Sequence, residues 1–267
     1  WRWKKSLRYL LKLEKLVFYV FIFSIPFQTR LVLRSWGLKP DGLARVGIGF
    51  NEWNSAFLYW TDLLILALLG FWLLRFIAKK AQFNFSNYDW FLIGFLAVSA
   101  ISIKNAINPA LGWYQLLKLV ELSLLYFYVK SNLGHVFNLA TSFFVFIASG
   151  FFQSVLGIFQ YIRQSDLGLR WLGETILSPE LFNVAIFMAE GEKFMRPYGT
   201  TPHPNVLALF LFMSVFICYF FYVKRDKFLH SKTGLIVYSV LLFGLFLTFS
   251  RVIIFAWVLG AVFNHLA

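Results

Sequence analysis

The sequence predicts an all-α, polytopic transmembrane helical bundle, and three observations carry that prediction. Hydrophobic residues make up 60% of the 267 and charged residues 14%, against about 45–50% and about 25% in soluble domains. The apolar residues fall in runs separated by shorter polar or basic stretches, many near the ~20 residues that a membrane helix needs. The net charge is +13, and Lys and Arg gather beside those runs, as they do where helices meet a membrane surface. About eight spans follow from this reading.

Residues 1–15 form a basic amphipathic segment, with Trp1, Trp3 and Tyr9 among Arg2, Lys4, Lys5, Arg8, Lys12 and Lys15, suited to the inner leaflet. No small-residue cleavage pattern follows the apolar stretch 18–27. A retained first span is therefore predicted over 16–33, bent at Pro26. Residues 34–54 read as a Gly-rich outer connector with Trp36 and Trp53 in the headgroup zone. The second span, 56–78, is closed by Arg75, Lys79 and Lys80; an inner link, 81–89, leads to a short third span at 90–103. The fourth, 111–129, puts Lys118 and Glu121 on one face, where they neutralise each other. The fifth, 137–162, aligns Gln153 and Gln160 on one face with Gly157 between them, the pattern of amide bonds between helices.

An outer loop, 163–203, follows, in which Ser178 and Pro179 are expected to begin a short interfacial helix. Span six is 204–223. Lys224, Arg225, Lys227 and Lys232 mark an inner loop, span seven is 234–249, and a tight outer break at Ser250 and Arg251 begins the eighth, so that the transmembrane domain is 16–267. Basic residues lean to the inner side and carboxylates to the outer loops, which places the amino terminus in the cytoplasm and points to anionic membrane lipids, not nucleic acid. The single cysteine, Cys218, lies inside an apolar run and excludes an internal disulfide framework. No repeat, P-loop, nucleophile elbow or metal-ligand spacing occurs, so neither metal nor cofactor is expected. The chain begins at Trp1 and stops within an apolar segment, which predicts that it is a fragment of a longer protein.

The candidate chemistry sits in residues 195–205, MRPYGTTPHPN. Pro202 and Pro204 suit the first turn of a helix, and Thr200 to His203 supplies caps. Arg196, Gly199 and the partial positive charge of the helix start are the parts of an anion site. An interfacial arginine followed by an ordinary proline cap is the alternative. The predicted topology brings Arg251 to the same membrane face as Arg196, and two guanidiniums suit a diphosphate through bidentate bonds. Ser250 offers a hydroxyl beside them.

RPYGTTPHPNVLALFL followed by LTFSRVIIFAWVLG, with FFQSVLGIFQYI and LGE before them, resembles the O-antigen ligase and O-antigen polymerase family of bacterial membrane glycosyltransferases. The resemblance covers roughly residues 151–260. It implies a multispanning enzyme of the bacterial inner membrane that moves a glycan from a polyprenyl-diphosphate carrier to an acceptor hydroxyl on a lipid, polysaccharide or protein. It also implies that Arg196 and Arg251 are the catalytic arginines on the diphosphate, with Tyr198, Gly199, His203 and Asn205 in the flanking turn. The family's histidine base lies in a later outer loop, so the fragment is expected to lack it; His135, His203, His230 and His265 are not assigned that role. The competing class is a transporter or flippase of an anionic or lipid-linked substrate, with Lys118, Glu121 and the two glutamines along its path.

Overall fold

The computed structural model describes residues 2–36, 54–182, 184–224, 227 and 231–266. Trp53, Arg225 and His230 lie outside them, as does most of the predicted connector 34–54. The molecule is mostly helical, 66% of it, with eight α-helices among the described residues. Three of these are long and apolar enough to cross a membrane: α2 (Trp60–Ile77), α5 (Leu139–Arg163) and α6 (Pro204–Val223). The expected count of about eight spans is not reproduced on length and composition. α3 (Asp89–Ser102), α7 (Lys232–Leu247) and α8 (Arg251–Leu266) have 14, 16 and 16 residues, which reach only about 21–24 Å against an apolar thickness of about 30 Å. α1 (Arg2–Ser24) and α4 (Pro109–Asn132) are long enough but carry charges along their length.

The chain divides into two compact units. The first comprises residues 1–21 and 30–139. Here α1 ends at Ser24, two residues before Pro26, so the predicted basic segment and first span are one helix that stops short. Residues 31–33, assigned to span one, lie instead in β1 (Arg30–Ser35), and residues 56–59 of span two lie in β2 (Ser55–Tyr59). The two strands pair antiparallel with a register break between Val32 and Arg34. The Tyr114 hydroxyl donates to the Phe57 carbonyl at 2.8 Å and accepts from the Phe57 N–H at 2.9 Å, tying the strand to α4. α4 packs against both α2 and α3.

Charges inside this unit are paired. Lys118 bonds to Asp62 and lies 3.4 Å from Glu121, so the predicted partner is present and a second, from α2, joins it. Arg75 donates to Glu14 at 2.8 Å and also to Asn132, and Tyr128 donates to the same Glu14 oxygen at 3.0 Å. Lys130 donates to Asp89 at 2.6 Å.

The second unit comprises residues 22–29 and 140–267. Its core is the contact of α5, α6 and α7, where Leu207, Leu211, Leu241 and Leu245 are fully buried. Small residues bring the helices together: a side chain at Gly150 would strike Ser214 and one at Gly244 would strike Ser154. The Ser154 hydroxyl donates to the Val240 carbonyl at 2.6 Å, a hydrogen bond between helices of the type that holds membrane bundles. Between α5 and α6 lie a 3₁₀ turn at Arg170–Leu172 and a hairpin of β3 (Ile186–Ala189) and β4 (Glu192–Met195). Ser178 and Pro179 open a turn here; the short interfacial helix expected of them does not form.

Candidate functional site

The turn that precedes α6 is held from below by α5. Gln153 and Gln160 stand two helical turns apart on α5 and are completely buried. The Gln160 side-chain oxygen accepts from the N–H groups of Tyr198 at 3.0 Å and Gly199 at 2.7 Å. Its nitrogen donates to the Gly199 carbonyl at 2.8 Å and to Glu174 at 2.7 Å. Gln153 does the same one residue on, accepting from the Thr200 N–H at 2.9 Å and donating to the Thr200 hydroxyl at 2.8 Å. A buried turn has no helix or sheet to satisfy its backbone, so side-chain amides must do it. The glutamines therefore clamp a loop, which corrects the expectation of bonds between helices.

The same contacts explain two glycines. Gly199 has φ +58°, and a Cβ there would meet the Gln153 amide oxygen. Gly173 has φ +87°, and a Cβ would strike the backbone of Gln28 and Thr29. The neighbouring Glu174 is buried and accepts from the N–H groups of Leu167 at 2.8 Å and Leu169 at 2.6 Å. The LGE triplet is thus a structural corner.

Arg196 emerges from β4 into this frame. Its Nε donates to the Thr248 carbonyl at 2.7 Å and a terminal nitrogen donates to Asn205 Oδ1 at 2.7 Å. The Thr248 carbonyl is free for this because α7 ends at Leu247 and Phe249 takes a left-handed backbone, φ +50°. A phenylalanine there costs roughly 1–2 kcal/mol relative to the right-handed region. Its ring is seated 4.3 Å from the ring centre of Phe187 on the hairpin. Ser250 follows, buried, and Arg251 opens α8.

Arg196 and Arg251 line one open cleft of about 910 Å³, together with Asn205, Ser250 and the first turn of α8. Its remaining walls are apolar: Ile186, Phe187 and Met188 from the hairpin, Leu209 from α6, Phe249 from the break after α7, and Val252, Ile253 and Ile254 from α8. Among the described residues no carboxylate lies in salt-bridge range of either arginine. Burial lowers the Arg196 guanidinium from its usual pKa, and Tyr198 opposes that shift; arginine's high starting value leaves it charged. Comparison with protein-family models, with curated proteins and with solved structures finds no match.

Of the residues singled out from sequence, Arg196, Asn205, Ser250 and Arg251 meet at the cleft, whereas Tyr198, Gly199 and His203 do not line it. Tyr198 is buried, with its hydroxyl oxygen accepting from the Ala185 N–H at 2.8 Å. His203 caps α6, its Nδ1 accepting from the Asn205 N–H at 3.1 Å. That bond requires an unprotonated nitrogen, and burial and then the Arg196 charge lower the pKa of His203. Two helix starts border the cleft, that of α6 through Asn205 and that of α8 through Arg251 and Val252. Sequence reasoning also missed the hairpin wall, whose signal was the Glu190–Gly191 pair between two short runs that each carry apolar residues. Among the described residues no group of three or more His, Cys, Asp or Glu side chains is set to hold a metal.

Proposed function

We propose that the cleft holds the diphosphate of a polyprenyl-diphosphate-linked glycan, and that the chain belongs to a membrane glycosyltransferase of the O-antigen ligase or polymerase type. The observation that supports this most is the pair of guanidiniums, unpaired with any described carboxylate, in a cleft with apolar walls. Such a cleft suits an amphiphile with an anionic head. The free N–H groups at the start of α8 add donors to the same head. In transfer, the bond between the sugar's anomeric carbon and the diphosphate oxygen breaks, and the acceptor oxygen bonds to that carbon. The leaving oxygen gains negative charge, which Arg196 and Arg251 offset in a water-poor setting. The acceptor's proton passes to a base or water outside the cleft lining, since neither His135 nor His203 lines it.

On this reading α1, α3, α4, α7 and α8 also cross the bacterial inner membrane, tilted or with their charges paired as described, and the cleft opens to the outer leaflet. A transporter reading has the Asp62, Lys118 and Glu121 cluster in its favour. The buried glutamines no longer support it, since their polar atoms are occupied by the turn.

Binding of geranyl diphosphate to the purified chain in detergent tests the proposal. Arg196→Ala and Arg251→Ala should each weaken it about 10–100-fold, the equivalent of a charge-assisted bond. Wild-type affinity in both variants would reject it.

A further inference from the structure

This inference rests on the diphosphate reading and concerns what sets the charge of the cleft. Arg196 is oriented on two sides, by the Thr248 carbonyl and by the side-chain oxygen of Asn205, each at 2.7 Å. Both acceptors are neutral. A carboxylate at 205 would make the same hydrogen bond more strongly, and residue 205 is exposed, so desolvation does not bar a charge there. What a neutral amide does differently is orient the guanidinium without cancelling it.

The consequence follows from Coulomb's law. A site inside a membrane faces a large excess of phosphodiester headgroups, each carrying one negative charge, whereas a prenyl diphosphate carries about two to three. Attraction scales with the product of the charges, so a cleft holding two uncancelled guanidiniums favours the diphosphate over the phosphodiester. With one of them cancelled, the difference in attraction between the two head groups is halved. We propose that Asn205 is the positioning residue that makes the cleft selective for a diphosphate head over a phosphodiester head, by fixing Arg196 while leaving its charge intact.

The experiment compares two probes on the full chain in detergent, geranyl diphosphate and a short-chain phosphatidylglycerol, with thermal melting of each variant alongside. In Asn205→Asp the diphosphate should weaken about 30–100-fold and the phosphodiester only about three- to fivefold, with the melting temperature unchanged. Asn205→Ala removes the orienting oxygen but no charge. It should weaken the diphosphate about three- to tenfold and keep most of the preference.

Equal losses for both probes in Asn205→Asp, or undiminished diphosphate binding, would overturn the role of Asn205 while leaving the arginine site standing on its own variants. Asn205→Ala covers the case in which the aspartate variant does not fold: if it abolishes the preference as well as the affinity, charge is not what Asn205 controls. Absence of diphosphate binding by the wild type would remove the cleft reading itself, and this inference with it.

Discussion

At the scale of single residues, the cleft depends on polar groups that never reach it. Gln160 is completely buried, yet it satisfies two backbone donors, one backbone acceptor and one carboxylate oxygen. Leucine fits the volume but leaves those partners orphaned, and each unmet buried group costs about 1–3 kcal/mol. Gln160→Leu is expected to destabilise the protein by about 3 kcal/mol or more, a fall in melting temperature of about 6–12 °C. Circular dichroism of the detergent-solubilised protein checks this. An unchanged melting curve would mean that the turn is not held by α5. The same logic separates Gly199 from a ligand-contact role: its freedom is used to pass under Gln153.

At the scale of elements, the hairpin and the α7–α8 break both line the cleft and meet through Phe187 and Phe249. Phe187 also stacks on its cross-strand partner Phe194, with ring centres 5.5 Å apart. The hairpin turns on Glu190, φ +51°, and Gly191, φ +85°, the pair of left-handed residues that a type I′ turn requires. Glycine accepts this freely, glutamate does not, and asparagine tolerates it better. Glu190→Asn should therefore stabilise the hairpin by about 0.5–1 kcal/mol, slowing amide exchange in β3 and β4 roughly two- to fivefold. Faster exchange in the variant would show that Glu190 does something other than turn the chain.

At the scale of the whole molecule, three helices meet the length and composition of membrane spans, and the other five require the proposed topology to cross. That topology makes a prediction that length does not. Cys218 is the only cysteine and is 1% exposed, so a Cys218→Ala background is free of thiols. Single cysteines at Asn105 and Lys193 should then react with a membrane-impermeant maleimide from the outer side of intact cells. Those at Lys80 and Lys227 should react only after permeabilisation. Labelling of Lys193 from the inner side would put the hairpin, and the cleft it lines, on the wrong face for a carrier-lipid transferase.

What the sequence determined by itself is local. α6 runs from Pro204 to Val223 as the proline signal and apolar run require, and the chain breaks at Ser250 between two helices. These features depend on residues within a turn or two of one another, where proline geometry, capping and apolar length decide the outcome. Tertiary structure decided the partners. Lys118 pairs with Asp62 as well as with its helical neighbour, Arg75 finds Glu14, and the α5 glutamines reach the turn before α6. Strands β1 and β2 likewise replace predicted helix, because an apolar stretch of a few residues has no period long enough to distinguish the two. Arg196 was visible as a charge, but its orientation came from a carbonyl freed by a left-handed phenylalanine far along the chain. A buried or half-buried polar group must find whichever complementary group the fold brings within about 3 Å, and no local rule names that group in advance.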